Sequence, residues 1–258
     1  MKTMKNVSFQ LYSARFNNSW TEVISLLSEL GYNQVEGFES NFEKPHEFRS
    51  ILDKYNMSMP SGHFYPLSSL EQNFEASLSI SKVLGIERIF CAAPDDHLCN
   101  SNDHIEWIKF AQRLNNVCKK LNEKEIRFGW HNHDWEFKSL KNGSTGMNLI
   151  LEYAPLLDWE IDIAWLIRSG QNPLKWIENF QNRISAAHIK DIAKEGESSD
   201  EDGWADLGFG TISWEPLINS LLSADVDLFV MEHDKPNDIK RFATRSIESF
   251  KKMRELYE

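Results

Sequence analysis

Short apolar runs alternate along the whole chain with longer stretches whose apolar residues recur at helical spacing. Apolar runs of this length predict strands, and recurrence at i, i+3 and i+4 predicts amphipathic helices. The pattern predicts strands at 7–13, 34–38, 57–64, 88–93, 126–132, 159–163, 184–189 and 227–232. It predicts helices at 20–30, 45–55, 70–84, 103–121, 147–153, 172–180 and 213–222, and a last helix from Asp238 to the C-terminus.

The regular alternation of strand and helix predicts parallel strands joined by crossover helices. The chain has 258 residues, close to the roughly 250 of a (β/α)₈ barrel. No linker or shift in composition divides it. The sequence therefore predicts one α/β domain over residues 1–258, a single (β/α)₈ TIM barrel with parallel strands. The segment 193–206 is predicted to be a long acidic loop, mobile and partly solvated.

Composition and charge limit the kinds of molecule that the protein is expected to bind. The formal net charge is −11, which argues against nucleic acid and against an anionic membrane surface, because both need clustered cations. No apolar run is long enough for a membrane span, and the N-terminal segment lacks the apolar region of a signal peptide. The three cysteines, at irregular spacing, indicate neither a disulfide framework nor a zinc motif. We expect a soluble, cytoplasmic protein, whose oligomeric state, including a homodimer, the sequence leaves open.

The stretch 128–137 begins as an apolar strand and ends in groups that bind metals or carry protons. His131 and His133 are two residues apart, so both can face one cavity from an extended strand. Other predicted strands also end in polar groups, and the C-terminal ends of barrel strands line the active site. The candidates at these ends are His63, His131, Asn132, His133, Glu136, Asp162, His188, Lys190 and Glu232. Mixed imidazole and carboxylate donors predict a site for a divalent metal ion.

These motifs give the chain a resemblance to the xylose-isomerase-like TIM-barrel superfamily, which includes sugar isomerases and epimerases, inosose dehydratases, repair endonucleases and keto-glycoside lyases. The resemblance covers nearly the whole chain. It rests mainly on WHNHDWEF (130–137), DIAW (162–165), HIKD (188–191), LGFG (207–210) and MEH (231–233). It implies one divalent ion (Mn, Zn, Co, Fe or Mg). The ligands that it implies are His131, Asp162, His188 and Glu232.

The chain also departs from the relatives. His131 stands where the isomerases commonly have Glu, so Glu136 is a second candidate, as ligand or as proton acceptor beside Glu232. His131 would then bind substrate. His133 either binds substrate or orients Glu136. Trp165 stands where several epimerases have a substrate-binding His.

Two further side chains are candidates for the substrate. His63 either binds substrate or is a buried, hydrogen-bonded histidine. Lys190 either binds a substrate oxygen as a point charge or pairs with its neighbour Asp191.

The resemblance implies an enzyme that abstracts a proton next to a carbonyl and stabilises the enediolate with the metal. The leading prediction is a metal-dependent sugar isomerase or epimerase acting on a small sugar or keto-sugar. The alternative within the same chemistry is a dehydratase or a 3-keto-glycoside lyase. A repair endonuclease would need a basic surface and three metal ions, and the net charge of −11 counts against it. A non-catalytic sugar-binding barrel would hold no ion.

Overall fold

Eight parallel strands close into a barrel in the computed structural model, which describes residues 7–94 and 98–255. In chain order the barrel strands are β1 (Val7–Gln10), β2 (Gln34–Gly37), β3 (Ser58–His63), β4 (Arg88–Cys91), β5 (Arg127–His131), β6 (Asp158–Asp162), β7 (Ile184–Ile189) and β10 (Leu228–Met231). Each strand pairs with its neighbours in sequence, and β1 pairs with β10 to close the barrel. Two short strands, β8 (Asp191–Ile192) and β9 (Trp204–Ala205), form a separate antiparallel pair. The predicted (β/α)₈ fold is confirmed.

Helices follow the barrel strands, as the crossover pattern requires. They are α1 (Trp20–Leu30), α2 (Glu39–Phe42), α3 (Pro45–Lys54), α4 (Leu67–Gln72), α5 (Phe74–Leu84), α6 (His104–Asn122), α7 (Gly146–Tyr153), α8 (Ile163–Arg168), α9 (Pro173–Phe180), α10 (Trp214–Ser223) and α11 (Ile239–Glu255). The first helix ends at Gly31 in the left-handed region, φ 92°, which glycine adopts without a side-chain clash. The predicted end of the last helix at the C-terminus lies outside the described residues, as does the N-terminal segment 1–6.

The large hydrophobic core lies between the strands and the helices, and a smaller one fills the barrel. The inner cluster consists of Phe90, Ala186, Leu228 and Val230. The ring of Phe90 has room because its neighbour on β5 is Gly129, where a Cβ would lie 2.6 Å from the ring. Strand periodicity places every second residue on the inner face. The polar residues further along the same strands therefore lie between this inner cluster and the C-terminal mouth of the barrel.

Several predicted bounds differ from the structure at the mouth of the barrel. Strand β1 ends at Gln10, and a 3₁₀ turn (Leu11–Ala14) follows, because the Gln10 side chain accepts a hydrogen bond from the backbone N–H of Tyr12. Strand β6 ends at Asp162, which begins helix α8 by accepting a hydrogen bond from the N–H of Trp165 at 2.9 Å. The predicted helix 70–84 is two helices, α4 and α5, with a break at Asn73.

The acidic segment 193–206 is more ordered than the sequence predicts. Its end forms β9, and Trp204 is buried. Glu201 is buried as well and lies 2.7 Å from the guanidinium of Arg241, which also contacts Asp206 at 2.9 Å. These ion pairs fasten the segment to α11, so part of the acidic run has a structural role.

Within residues 7–94 and 98–255, no helix combines the length and apolar character that crossing a membrane requires.

Candidate active site

A cavity of about 310 Å³ opens at the C-terminal mouth of the barrel. Its wall is largely aromatic, and its floor carries imidazole and carboxylate groups. The lining includes five of the predicted site residues, which are His63, His131, His133, Trp165 and Glu232. It also includes Tyr12, Phe38, Tyr65, Ala92, Ala93, Cys99, Trp135 and Asp234. This position is the one at which barrel enzymes carry their active sites.

The four predicted metal ligands converge at the inner end of this cavity, which two of them, His131 and Glu232, line directly. His131, Asp162, His188 and Glu232 stand at or near the ends of β5, β6, β7 and β10, and each offers a ligand atom within 4.8 Å of the others. All four side chains are buried.

The tight turn from β6 into α8 fixes Asp162. Its Oδ1 caps α8, and its backbone N–H donates to Asn132 Oδ1 at 2.9 Å. The indole N–H of Trp159 donates to the same Asn132 oxygen at 2.8 Å. Asn132 therefore joins the ends of β5 and β6. The second carboxylate oxygen of Asp162, Oδ2, remains directed at the site.

Lys190 lies fully buried among carboxylates. Its Nζ is 2.8 Å from Glu232 Oε2, 3.0 Å from Asp162 Oδ2 and 2.7 Å from Asp234 Oδ2. These carboxylates outweigh the effect of burial and raise the pKa of Lys190, so the ammonium stays charged.

Asp191, the alternative partner of Lys190, contacts other groups. Its carboxylate accepts hydrogen bonds from the backbone N–H groups of Gly208 and Ile212, both at 3.0 Å. It thereby holds the loop that carries the LGFG motif.

Two carboxylates that the sequence did not single out, Glu36 and Glu160, lie deeper in the barrel. Glu160 precedes Asp162 by two residues on β6, so both point inward. Glu160 Oε2 is 2.7 Å from His63 Nε2 and 3.0 Å from His131 Nδ1. Glu36 Oε1 is 2.7 Å from His188 Nε2. Glu160 and Asp162 are two residues apart on one strand, and this spacing was the sequence signal that could have identified Glu160.

Charges inside the cluster shift its pKa values strongly. Burial alone would lower the pKa of His63, but Glu36 and Glu160 raise it to about 9. Burial also opposes the charge on His188, yet Glu160, Glu232 and Glu36 raise its pKa. In the metal-free chain, protonated imidazoles therefore offset part of the carboxylate charge.

The residues present fit a divalent cation. Five buried or largely buried carboxylates (Glu36, Glu160, Asp162, Glu232 and Asp234) surround one ammonium group and three imidazoles. Oδ2 of Asp162 is buried and lies 3.0 Å from the Lys190 ammonium, but it accepts no well-aligned hydrogen bond from any described residue. Two imidazoles and two carboxylates within 4.8 Å are a donor set suited to Zn²⁺, Mn²⁺, Fe²⁺ or Co²⁺.

Glu136 is held behind the cavity wall. Its carboxylate accepts hydrogen bonds from the backbone N–H of His133 at 2.9 and 3.0 Å and from Trp130 Nε1 at 2.9 Å. Burial raises its pKa to about 8, although these donors favour the ionised form. Glu136 is absent from the described residues that line the cavity. Its predicted role as ligand or proton acceptor stays a prediction, and the contact shows that it positions His133.

Two buried nitrogens beside the aromatic part of the cavity have no hydrogen-bond partner in the described part of the chain. Nδ1 of His133 and Nε1 of Trp165 are buried and have no hydrogen-bond partner among the described residues. The His133 ring stacks on Trp135, with centroids 5.8 Å apart. Trp165 packs edge-on against Trp204 at 4.7 Å. Both nitrogens belong to side chains that line the cavity.

Asp234, in the loop after β10, is a further carboxylate in the cavity that the sequence did not single out. It follows β10 closely, lines the cavity and lies 2.7 Å from Lys190 Nζ. Burial raises its pKa although Lys190 acts in the opposite direction. Asp234 is outside both four-residue sets that could hold a metal.

Comparison with known proteins gives a match over most of the chain. Residues 24–255 match the family described as xylose isomerase-like TIM barrel. An inosose dehydratase from Clostridium beijerinckii is 21% identical over 197 residues, which are 68% of this chain and 64% of the relative. The matched part thus spans less than two thirds of that relative's length.

Solved structures share the fold. A sugar phosphate isomerase/epimerase from Parabacteroides distasonis superposes with a TM-score of 0.79 at 17% identity, covering 96% of this chain and 94% of that one. A structure described as IOLI protein with a bound zinc atom gives a TM-score of 0.73 at 13% identity, covering 96% of each chain. At these identities the likeness shows the barrel alone.

Proposed function

Because the chain belongs to the xylose isomerase-like TIM-barrel family, we propose that it is a divalent-metal-dependent enzyme that removes a proton next to the carbonyl of a keto-sugar or keto-polyol. The observation that carries the proposal is the convergence of His131, Asp162, His188 and Glu232 within 4.8 Å. A family relative, the IOLI protein, is described with a bound zinc atom, which supports an ion in this barrel. Return of the proton to the neighbouring carbon makes the reaction an isomerisation.

The four predicted ligands would hold the ion at the floor of the cavity. A bound divalent ion supplies Lewis-acid stabilisation for the negative charge that develops on the carbonyl oxygen. Glu232 is ionised, because Lys190 and His188 outweigh burial and lower its pKa. Lys190 is fully buried, contacts three carboxylates and is absent from the described residues that line the cavity. Its charge therefore acts on substrate through the carboxylates it holds, and direct binding of a substrate oxygen stays a prediction.

Asp234 is the group that we assign to proton transfer. It lines the cavity, it belongs to neither metal set, and Lys190 fixes its position at 2.7 Å. Glu232, which the sequence made a candidate for this step, then acts as a ligand. A carboxylate within hydrogen-bond reach of substrate meets the first requirement of a general base.

The carboxylates that line the cavity favour chemistry on one face of the substrate. Glu232 and Asp234 both contact the ammonium of Lys190, so both lie on the same side of the cavity. Inversion of a carbon centre needs a second acid–base group on the opposite face. A proton shift between neighbouring carbons uses one face, and the two carboxylates that line the cavity supply that face.

The aromatic wall provides for a sugar-like substrate. Tyr12, Phe38, Tyr65 and Trp135 present ring surface to the cavity, suited to the C–H face of a sugar ring. His133 and Trp165 each offer an unpartnered nitrogen beside this surface, suited to hydroxyl groups.

Dehydration is the second candidate, favoured by the similarity to the inosose dehydratase. It shares the proton abstraction, and water then leaves from the next carbon. The base and the charged Lys190 lie on one side of the cavity, which is compatible with removal of proton and hydroxyl from one face. The two reactions diverge only after the common step.

Proton exchange tests the common step. The protein, supplied with Zn²⁺, Mn²⁺ or Co²⁺, is incubated in D₂O with keto-pentoses, keto-hexoses and an inosose. We expect the proton signal beside the carbonyl to disappear from the NMR spectrum of at least one of them, and to persist with the Asp234→Asn variant. New sugar signals identify an isomerase, and a conjugated-ketone absorbance identifies a dehydratase. Absence of exchange with every ketone would contradict the proposal.

A further inference from the structure

The two imidazoles of the proposed metal site are held from behind by carboxylates. Glu36 on β2 and Glu160 on β6 are both fully buried, one layer deeper than Asp162. Each has an oxygen that faces ring nitrogens of the site histidines. Neither residue belongs to the proposed set of four ligands, His131, Asp162, His188 and Glu232.

His188 meets carboxylates through both of its nitrogens. Nδ1 lies 3.0 Å from Glu232 Oε2, toward the cavity. Nε2 lies 2.7 Å from Glu36 Oε1 and 3.3 Å from Glu160 Oε2, toward the barrel interior. An ionised carboxylate only accepts hydrogen bonds, so the nitrogen that faces the interior must carry a proton. Nδ1 faces a carboxylate too, but that carboxylate, Glu232, is itself a proposed ligand. An ion held together with Glu232 would therefore take the place of the proton on Nδ1, while Nε2 keeps its proton toward Glu36.

His131 has the opposite orientation. Its Nδ1 lies 3.0 Å from Glu160 Oε2, an oxygen that also faces His63 Nε2 at 2.7 Å. An oxygen shared by two ring nitrogens acts as their acceptor, so Nδ1 of His131 carries a proton. Nε2 is then the nitrogen that binds an ion.

His63 joins the two deep carboxylates. Its Nε2 is 2.7 Å from Glu160 Oε2 and 3.1 Å from Glu36 Oε1. The side-chain amide of Gln10 donates a further hydrogen bond to Glu36 Oε1 at 2.8 Å. The deep carboxylates are thus fixed as one network rather than as two separate groups.

We propose that Glu36 and Glu160 are positioning residues that set the tautomer and ring orientation of the metal-binding histidines, so that His131 binds through Nε2 and His188 through Nδ1. The inference rests on the proposed metal site. Carboxylates behind metal-bound imidazoles raise the basicity of the ligand, and their loss typically lowers metal affinity 10- to 100-fold.

A deeper ion position competes with this assignment. His63, His131, Glu160 and His188 also offer four ligand atoms within 4.8 Å. Asp162 is the last residue of β6, whereas Glu160 lies two residues inside the strand. Because barrel enzymes act at the strand ends, we place the ion with Asp162 and Glu232.

The test measures Zn²⁺ affinity by competition with a chromophoric chelator, and the visible spectrum of the Co²⁺ form. The variants are Glu160→Gln and Glu36→Gln, which keep the side-chain volume. Glu201→Gln is the matched control, a buried carboxylate that pairs with Arg241 outside the site. Circular dichroism confirms that each variant is folded, and either of the two deep variants alone suffices if the other fails to fold.

We expect one ion per chain at saturation in both deep variants, with affinity lowered 10- to 100-fold and a shifted Co²⁺ spectrum. The control, Glu201→Gln, should match the wild type in Zn²⁺ affinity and in the Co²⁺ spectrum. Unchanged affinity and spectrum in the deep variants would overturn the positioning role while leaving the proposed function intact. Complete loss of the ion in His63→Gln, with retention in Asp162→Asn, would also overturn the positioning role. That result would place the ion with His63 and Glu160 inside the barrel. A wild-type protein that binds no ion would contradict the proposed function itself.

Discussion

The ammonium group of Lys190 lies 2.8 Å from Oε2 of Glu232, and both side chains are buried. Lys190 also contacts Asp162 and Asp234, one a proposed metal ligand and the other the proposed proton acceptor. The Lys190 ammonium therefore links the proposed metal ligands to the proposed proton acceptor.

Replacing Lys190 by methionine should destabilise the metal-free protein by about 3–5 kcal/mol, because buried carboxylates would lose their counter-charge. Urea unfolding in the presence of a chelator measures the loss. Added metal should recover part of it, since the ion neutralises Asp162 and Glu232. The control is Lys235→Met, which breaks a half-exposed pair with Asp202 at 3.1 Å and should cost at most about 1 kcal/mol. Equal, small losses in the two variants would refute the role of Lys190.

Asp234→Asn and Glu232→Gln should both abolish most turnover, but for different reasons. Removal of the proton acceptor should lower kcat roughly 100- to 10,000-fold while the ion stays bound. Removal of the ligand should lower metal content together with activity. Proton exchange in D₂O and elemental analysis, made on the same preparations, separate the two effects. Full exchange activity in Asp234→Asn would return the role of proton acceptor to Glu232 or Glu136.

Trp165→Phe should raise KM more than it lowers kcat, because it removes the unpartnered indole N–H of a side chain that lines the cavity. Stability should change little, since that N–H makes no hydrogen bond with any described residue. Trp176→Phe is the matched control: its indole N–H donates to Gln171 Oε1 at 3.1 Å, away from the cavity residues. The control should leave KM unchanged. The role of Trp165 in substrate binding fails if both variants keep the wild-type KM.

Glu136 should make stability depend on pH. Burial raises its folded-state pKa to about 8, against about 4.3 in an unfolded chain. Between these values the folded protein retains a proton that the unfolded chain has released, so the free energy of unfolding falls as the pH rises. The slope from this group is at most about 1.4 kcal/mol per pH unit.

Urea unfolding of the wild type and Glu136→Gln, from pH 5 to pH 8, checks this sign. The variant has no proton to lose at that position, so its stability should decline less with increasing pH. If the unfolding free energies of the two proteins changed with pH in parallel, the hydrogen bonds from His133 and Trp130 would be keeping Glu136 ionised over this whole range.

Strand periodicity made the main features of the fold predictable, since the barrel needs only the order and spacing of apolar runs. The same logic found Asp162, His188 and Glu232, because each follows or ends an apolar strand. It missed Glu36 and Glu160, which lie inside strands where a buried charge is unexpected without its partners. Those partners, His63 and His188, come from other strands, and only closure of the barrel brings them together.

Adjacency in sequence was a poor guide to the partners of Lys190. Asp191 is adjacent in the chain but contacts the backbone of the loop 207–210, while Asp162, Glu232 and Asp234 reach Lys190 from other strand ends. Successive residues at a strand end point to opposite sides, which disfavours the adjacent pair. Asp234 was missed for a related reason, since a residue just beyond a strand gives no sign of the cavity it enters.

Metal content tests the central claim most directly. Elemental analysis of the purified protein, before and after chelation and reconstitution, is made alongside Asp162→Ala. The account predicts about one Mn, Fe, Co or Zn per chain in the wild type, lost or strongly reduced in the variant. A wild-type protein that takes up no ion under any of these conditions would contradict the metal site, and with it the proposed proton abstraction.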